Sequence, residues 1–144
     1  MRVTTPMVIC SVVCLLTAAA GGGAQSAHQD AVDAAVAAAK SWLGLVDAGS
    51  YGESWEEAAA LFQGALTREQ WIQSLAAART PLGALVSRQV ASARYATSLP
   101  GAPDGEYVVI QFTTVLANKK SAVETVTPMK GGDGVWRVAG YYIK

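Results

Sequence analysis

Along the chain the spacing of hydrophobic positions changes once, near residue 84, and the change divides a helical half from a strand half. Val32, Val36, Ala39, Leu43 and Val46 recur at steps of four and three, one face of an α-helix. They predict a first helix from about Ala27 to Ala48, ended by Gly49. Asp30 and Asp33 near its start, with Lys40 further on, follow the order the helix dipole favours. Ser50-Tyr51-Gly52-Glu53 has the form of a capping box, in which a serine oxygen and a carboxylate three residues on satisfy open amides reciprocally. It predicts a second helix with Trp55, Ala59 and Phe62 on one face. Thr67-Arg68-Glu69-Gln70 repeats the signature and opens a third helix carrying Trp71, Leu75 and Ala78. Thr80-Pro81 closes it, because a proline disfavours helical geometry in the residue before it.

From Ala84 the period is two. Val108, Ile110, Phe112, Thr114 and Leu116 alternate with Val109, Gln111, Thr113 and Val115, a strand with one strongly apolar face. Trp136, Val138, Gly140 and Tyr142 repeat the pattern at the end. Ala122 to Met129 is rich in Val and Thr, and Ala84 to Ser98 predicts a long first strand. Pro100-Gly101, Asp104-Gly105, Asn118-Lys119 and Gly131-Gly132-Asp133-Gly134 supply the turns. Four consecutive strands with tight turns make an antiparallel meander. Helices followed by strands is an α+β pattern, here three N-terminal helices packed on a curved four-stranded meander. Curvature is required: at ~3.3 Å per residue a straight first strand would span about 50 Å, so it must bend or carry a bulge. A curved sheet around helices has the shape of a cone.

Composition changes this picture at the N-terminus. Arg2, the uncharged and mostly apolar Met7 to Ala20, and the small residues Ala18 to Ala24 form the three parts of a secretory signal. The apolar run is shorter than the ~18 residues of a membrane span. Cleavage after Ser26 is expected, with Ala24 as the alternative, so that 1–26 is a signal peptide and 27–144 a single domain, exported to the periplasm or secreted. Ser11-Val12-Val13 before Cys14 lacks the small residue that accompanies a lipid-attachment cysteine. Both cysteines, Cys10 and Cys14, depart with the signal, leaving a thiol-free mature chain.

Charge and chemistry then exclude several classes. Eleven bases and eleven acids give no net charge, which argues against nucleic acid and anionic membranes, both of which call for a basic face. His28 is the one histidine and lies beside the cleavage point. A residue beside a free terminus is not held in the fixed geometry catalysis needs, so Ser–His and Cys–His nucleophile arrangements are not expected, and zinc has no ligand cluster. Lys130-Gly131-Gly132-Asp133-Gly134 offers calcium one carboxylate, and its glycines precede a strand, not the helix a phosphate cradle needs. No cofactor or metal is expected. Trp42, Trp55, Trp71 and Trp136 are read as core anchors.

Trp42-Leu43, Asp47, Tyr51, Ser54-Trp55, Arg79-Thr80-Pro81-Leu82-Gly83, Ser87-Arg88, Pro100 to Tyr107, Glu124-Thr125 and Asp133 to Ile143 form an ordered set behind the signal peptide. As a set they resemble a bacterial family, domain of unknown function 4019, over essentially the whole mature chain. The resemblance implies no activity, cofactor or catalytic residue. It implies an architecture similar to the cystatin-like cone of nuclear transport factor 2-like domains, which host enzymes and binding modules alike.

Within the strands two charges interrupt apolar faces: Arg88 between Val86 and Val90, and Glu124 between Ala122 and Val126. Two arrangements are open. They project into the cone, pairing with each other or with a ligand carboxylate, or they form a solvated ladder on the outer face with Arg137, where such pairs contribute about 0–1 kcal/mol. Asp47, Asp104 and Asp133 are read as ordinary helix-end and turn residues. Tyr141 and Tyr142 point to opposite faces. The expected role is an exported, non-enzymatic module that binds a small molecule, peptide or protein partner in the cone, with Arg88, Glu124, Gln111 and Arg79 as candidate contacts. The alternative is an interaction module that dimerises through the outer sheet face, and the third reading is a proton-transfer enzyme using Glu124.

Overall fold

A computed structural model of the chain describes residues 22–144; the expected signal peptide lies outside these residues up to residue 21. The helix α1 spans Gly22–Asp47, starting five residues before the expected Ala27, so the expected cleavage point after Ser26 falls within it. Its apolar stripe, Ala35, Ala39, Leu43 and Val46 with Trp42, is buried against Val108, Ile110, Phe112, Val126 and Val138 of the sheet. Burying each large side chain stabilises the fold by about 1.5–3 kcal/mol. Gly49, at φ 78°, turns the chain out of α1.

The expected second helix is broken in two, α2 (Tyr51–Glu56) and α3 (Ala60–Ala65). Nothing in Glu57-Ala58-Ala59-Ala60 disfavours a helix; the break comes from tertiary structure. Ala59 is extended, at φ −63° and ψ 153°, and its N–H donates to the Val138 carbonyl at 2.8 Å. That bond docks the helical layer on a sheet edge. The expected capping box at Ser50 is not formed, because the Ser50 side chain makes no capping bond and Ser50 adopts φ −80°, ψ 57°. The one at Thr67 is formed: Thr67 Oγ1 accepts from Gln70 N–H at 3.1 Å and Gln70 Oε1 accepts from Thr67 N–H at 3.0 Å. It opens α4 (Arg68–Arg79), which passes into a 3-10 turn at Thr80–Leu82 with Pro81 inside it.

The strands β1 (Leu85–Ala96), β2 (Tyr107–Leu116), β3 (Lys119–Lys130) and β4 (Trp136–Ile143) form a curved, open antiparallel meander in the order β1-β2-β3-β4. The architecture is the α+β one expected. The first strand does carry irregularities, between Leu85 and Ser87 and between Val90 and Ser92. After the second, Ala93 and Tyr95 take over the inward positions, opposite Ile110 and Val108. A similar shift leaves Ala139 unpaired in β4, since Val138 faces Pro128 and Gly140 faces Thr127. It places Tyr141 beside Val126 on the inner face and leaves Tyr142 62 % exposed on the outer one. Strict alternation from Trp136 through Gly140 would have turned Tyr142 inward.

Candidate functional site

Six side chains from six elements converge beneath the C-terminal end of α1. Asp47 is the last residue of α1 and Arg79 the last of α4, the end at which a cation suits the helix dipole. Arg88 comes from β1, Thr114 from β2, Glu124 from β3 and Tyr141 from β4. The register explains the convergence, as Arg88 faces Thr114 across one ladder while Glu124 faces Phe112 and Ile143. Glu124 Oε1 accepts from Arg88 Nε at 2.8 Å and from Thr114 Oγ1 at 2.7 Å. Glu124 Oε2 accepts from the Tyr141 hydroxyl at 2.5 Å, with Arg79 Nη1 at 3.5 Å. Asp47 takes Arg88 in a two-pronged bond and Arg79 Nη2 at 3.0 Å.

Two arginines and two carboxylates neutralise each other. Glu124 and Thr114 are wholly buried and Arg79 is 5 % exposed; the Arg88 and Asp47 side chains form the edge nearest solvent. Burial works against ionisation of Asp47, but the hydrogen bonds and charges of Arg88 and Arg79 outweigh it and hold the carboxyl below its ordinary range. Burial likewise disfavours the Arg88 cation, and the bonds to Asp47 and Glu124 reverse that, keeping it more firmly protonated. The Tyr141 phenol is pushed well up, first by burial and then by the Glu124 charge and hydrogen bond. One polar atom is left over: Arg79 Nε is buried without a partner among the described residues.

Arg88 and Glu124 thus project inward and pair, and the solvated outer ladder is not formed. Arg137 instead holds Asp133 in an exposed pair, at 2.8 and 3.1 Å. Arg79 joins Arg88 and Glu124. Gln111 does not: it is exposed on the opposite face of the sheet, where it lines a recess of about 290 Å³ with Ser92, Arg94 and Val109. Asp47, Thr114 and Tyr141 are members the sequence reading missed. For Asp47 a signal existed, because it continues the Ala39–Leu43 stripe by one further step of four.

The interior next to the cluster is filled. Trp42, Phe62, Trp71 and Tyr141 pack ring against ring at centroid distances of 4.8 to 6.4 Å, and Trp71 and Trp42 donate to Ser54 Oγ and Ser54 O. A surface groove of about 240 Å³ between α4 and the end of β4 reaches Tyr141, while a larger one, about 700 Å³, lies between α1, α2 and β4. Neither includes Arg79, Arg88, Asp47 or Glu124 in its lining. Among the described residues no group of three or more His, Cys, Asp or Glu side chains could hold a metal ion, and no helix is long and apolar enough to cross a membrane. The cluster's chemistry is that of a closed electrostatic lock joining four strands to two helices, with Tyr141 and Glu124 sharing its shortest hydrogen bond.

Residues 38–141 match the family model described as Protein of unknown function (DUF4019). No curated protein and no solved structure matches the chain. The matched region holds every member of the cluster, and the chain belongs to this family.

Proposed function

We propose that this DUF4019 chain is an exported, non-enzymatic interaction module that pairs with a second copy of itself through the outer face of its sheet. The observation that carries the reading is that, among the described residues, this face is covered by no other element and has no charge along its centre. Its middle rows are Val109, Gln111, Thr113 and Val115 of β2 and Val123, Thr125 and Thr127 of β3, with Tyr142 beside Thr125. Charges are confined to the rims, at Arg94 on β1 and at the Arg137–Asp133 pair beside β4.

A symmetric pair sets the same patch against itself. An uncharged centre does so without the like-charge repulsion that excludes most surfaces from self-association. Four strands ~4.8 Å apart and about ten residues long cover roughly 600 Å². Two copies would bury about 1,200 Å², above the ~1,000 Å² a specific interface needs. Meanwhile the closed charge cluster and filled interior give a rigid support rather than a substrate cavity.

Sedimentation equilibrium of the chain tests the reading. Wild type is expected to dimerise at micromolar concentration, and Thr125→Glu, with an unchanged circular dichroism spectrum, to be monomeric. A wild type that stays monomeric at 100-fold higher concentration overturns it. Small-molecule binding in the cone is a second reading, favoured by the unpartnered Arg79 Nε. A metabolite that raises the melting temperature of wild type but not of Arg79→Lys would support it.

A further inference from the structure

The groove between α1, α2 and β4 has a different character from the sheet face. It encloses about 700 Å³, within the range of sites that hold ligands. Trp42 and Leu45 of α1 with Val135 and Trp136 give it apolar walls, and Val135 is 47 % exposed there. Glu53, Glu56 and Glu57 form its other side: Glu53 and Glu56 are three apart on one face of α2, and Glu57 caps the end of that helix in helical geometry. Glu56 is paired with Arg68 and Arg137 with Asp133, so the groove and these partners keep an excess of two negative charges.

Trp136 supplies a second and independent observation. Three of the four tryptophans donate their indole N–H to the protein: Trp42 to Ser54 O at 2.7 Å, Trp55 to Leu66 O at 2.9 Å and Trp71 to Ser54 Oγ at 2.9 Å. The indole N–H of Trp136 has no acceptor among the described residues, although the side chain is only 9 % exposed and lines the groove. Among the described residues Arg79 Nε is the one unpartnered side-chain polar atom sealed from solvent, so the Trp136 N–H remains reachable from outside. A buried indole ordinarily finds an acceptor.

We infer that this groove docks an extended peptide segment carrying lysine or arginine. Such a segment offers three things together: a backbone carbonyl for the Trp136 N–H, an aliphatic stem for the apolar walls, and a cation for Glu53 and Glu57. A bare amine lacks the acceptor. An acidic peptide meets the glutamates with the wrong sign.

The test follows the four indole N–H resonances of the ¹⁵N-labelled chain while three probes are added at low salt: a blocked hexapeptide of alternating lysine and leucine, its glutamate–leucine counterpart, and n-butylamine. Trp136→Phe assigns the signal. The lysine peptide is expected to move the Trp136 resonance and leave that of Trp71, which lies outside the groove, in place. The Glu53→Gln/Glu57→Gln variant, altered at two exposed positions, is expected to bind it about tenfold more weakly, and added salt to weaken it further. An immobile Trp136 resonance overturns the inference, as does equal binding of the glutamate peptide, equal binding of n-butylamine, or an unchanged affinity in the double variant.

Discussion

Arg88 and Asp47, 41 positions apart in the chain, meet in a parallel two-pronged bond, Nη1 to Oδ2 at 2.6 Å and Nη2 to Oδ1 at 2.9 Å. Because Arg88 Nε simultaneously reaches Glu124, one guanidinium ties the end of α1 to an edge strand and to β3. Planar fork geometry makes arginine the only side chain able to do this. Two acids and two bases enclosed together are a weak source of net stability, since desolvation offsets most of the attraction. Removing one of the four is another matter.

Arg88→Ala is therefore expected to cost about 3–5 kcal/mol, because it leaves Asp47 and Glu124 facing each other with Arg79 as their only cation. Thr114→Val, which keeps the shape and removes a single donor from Glu124 Oε1, is expected to cost about 1–2 kcal/mol. Urea unfolding of both variants measures the difference. A loss below 1 kcal/mol for Arg88→Ala would mean that the cluster does not bind the layers together.

Acid should dissolve part of this lock. Asp47 has a lowered pKa in the folded chain against 3.8 for the free carboxyl. In the interval between the two values the unfolded chain binds the proton first, so stability falls as pH falls through it and is fully present above 3.8. The stability gap between wild type and Asp47→Asn is expected to be constant from pH 7 to about pH 5 and to shrink below about pH 4. A gap that stays the same down to pH 2.5 contradicts the assignment.

Alkali acts through Tyr141, whose raised pKa has the opposite sense. The folded chain keeps the phenol proton above pH 10, where the unfolded chain has lost it, so stability present below 10 declines as pH rises. Subtracting the phenolate absorbance titration of Tyr141→Phe from that of wild type should leave no ionisation step between pH 9 and 11. The same substitution removes the donor to Glu124 Oε2 and should cost about 1.5–3 kcal/mol.

Much of the architecture is legible in local pattern. Steps of four and three along Val36, Ala39 and Leu43, and steps of two along Val108, Ile110 and Phe112, announce α1 and β2 because each element has one buried face. Local pattern fails where a distant partner decides. Glu57-Ala58-Ala59 reads as helix until Val138 claims the Ala59 amide, and Tyr141 reads as the outer tyrosine until the unpaired Ala139 reverses the parity. For the cluster, Arg88 and Glu124 stand out as charges on apolar faces. Asp47 is fainter: it continues the Ala39–Leu43 stripe, but a carboxylate at a helix end is ordinary, and its role exists only once Arg79 and Arg88 arrive from 32 and 41 residues away.

Gly83 links the two levels. It follows the turn that carries Arg79 out of α4 and precedes the strand that carries Arg88, and its φ of 77° lies in the left-handed region that glycine adopts without a steric cost. A Cβ there would stand 3.0 Å from Ala117 Cβ and 3.1 Å from Asn118 Nδ2, whose amide holds the Pro81 carbonyl at 3.1 Å. Gly83→Ala thus combines a backbone penalty of roughly 1–2 kcal/mol with displacement of the Asn118 bond. It is expected to lower stability by about 2–3 kcal/mol. Gly101, also at positive φ (76°) but with nothing within 4 Å of a Cβ, separates the two effects. Gly101→Ala should show the backbone penalty alone, about 1–2 kcal/mol. Equal losses in the two variants, measured by urea unfolding, would show that the contact between Gly83 and the β2–β3 turn contributes nothing to holding Arg79 and Arg88 in place.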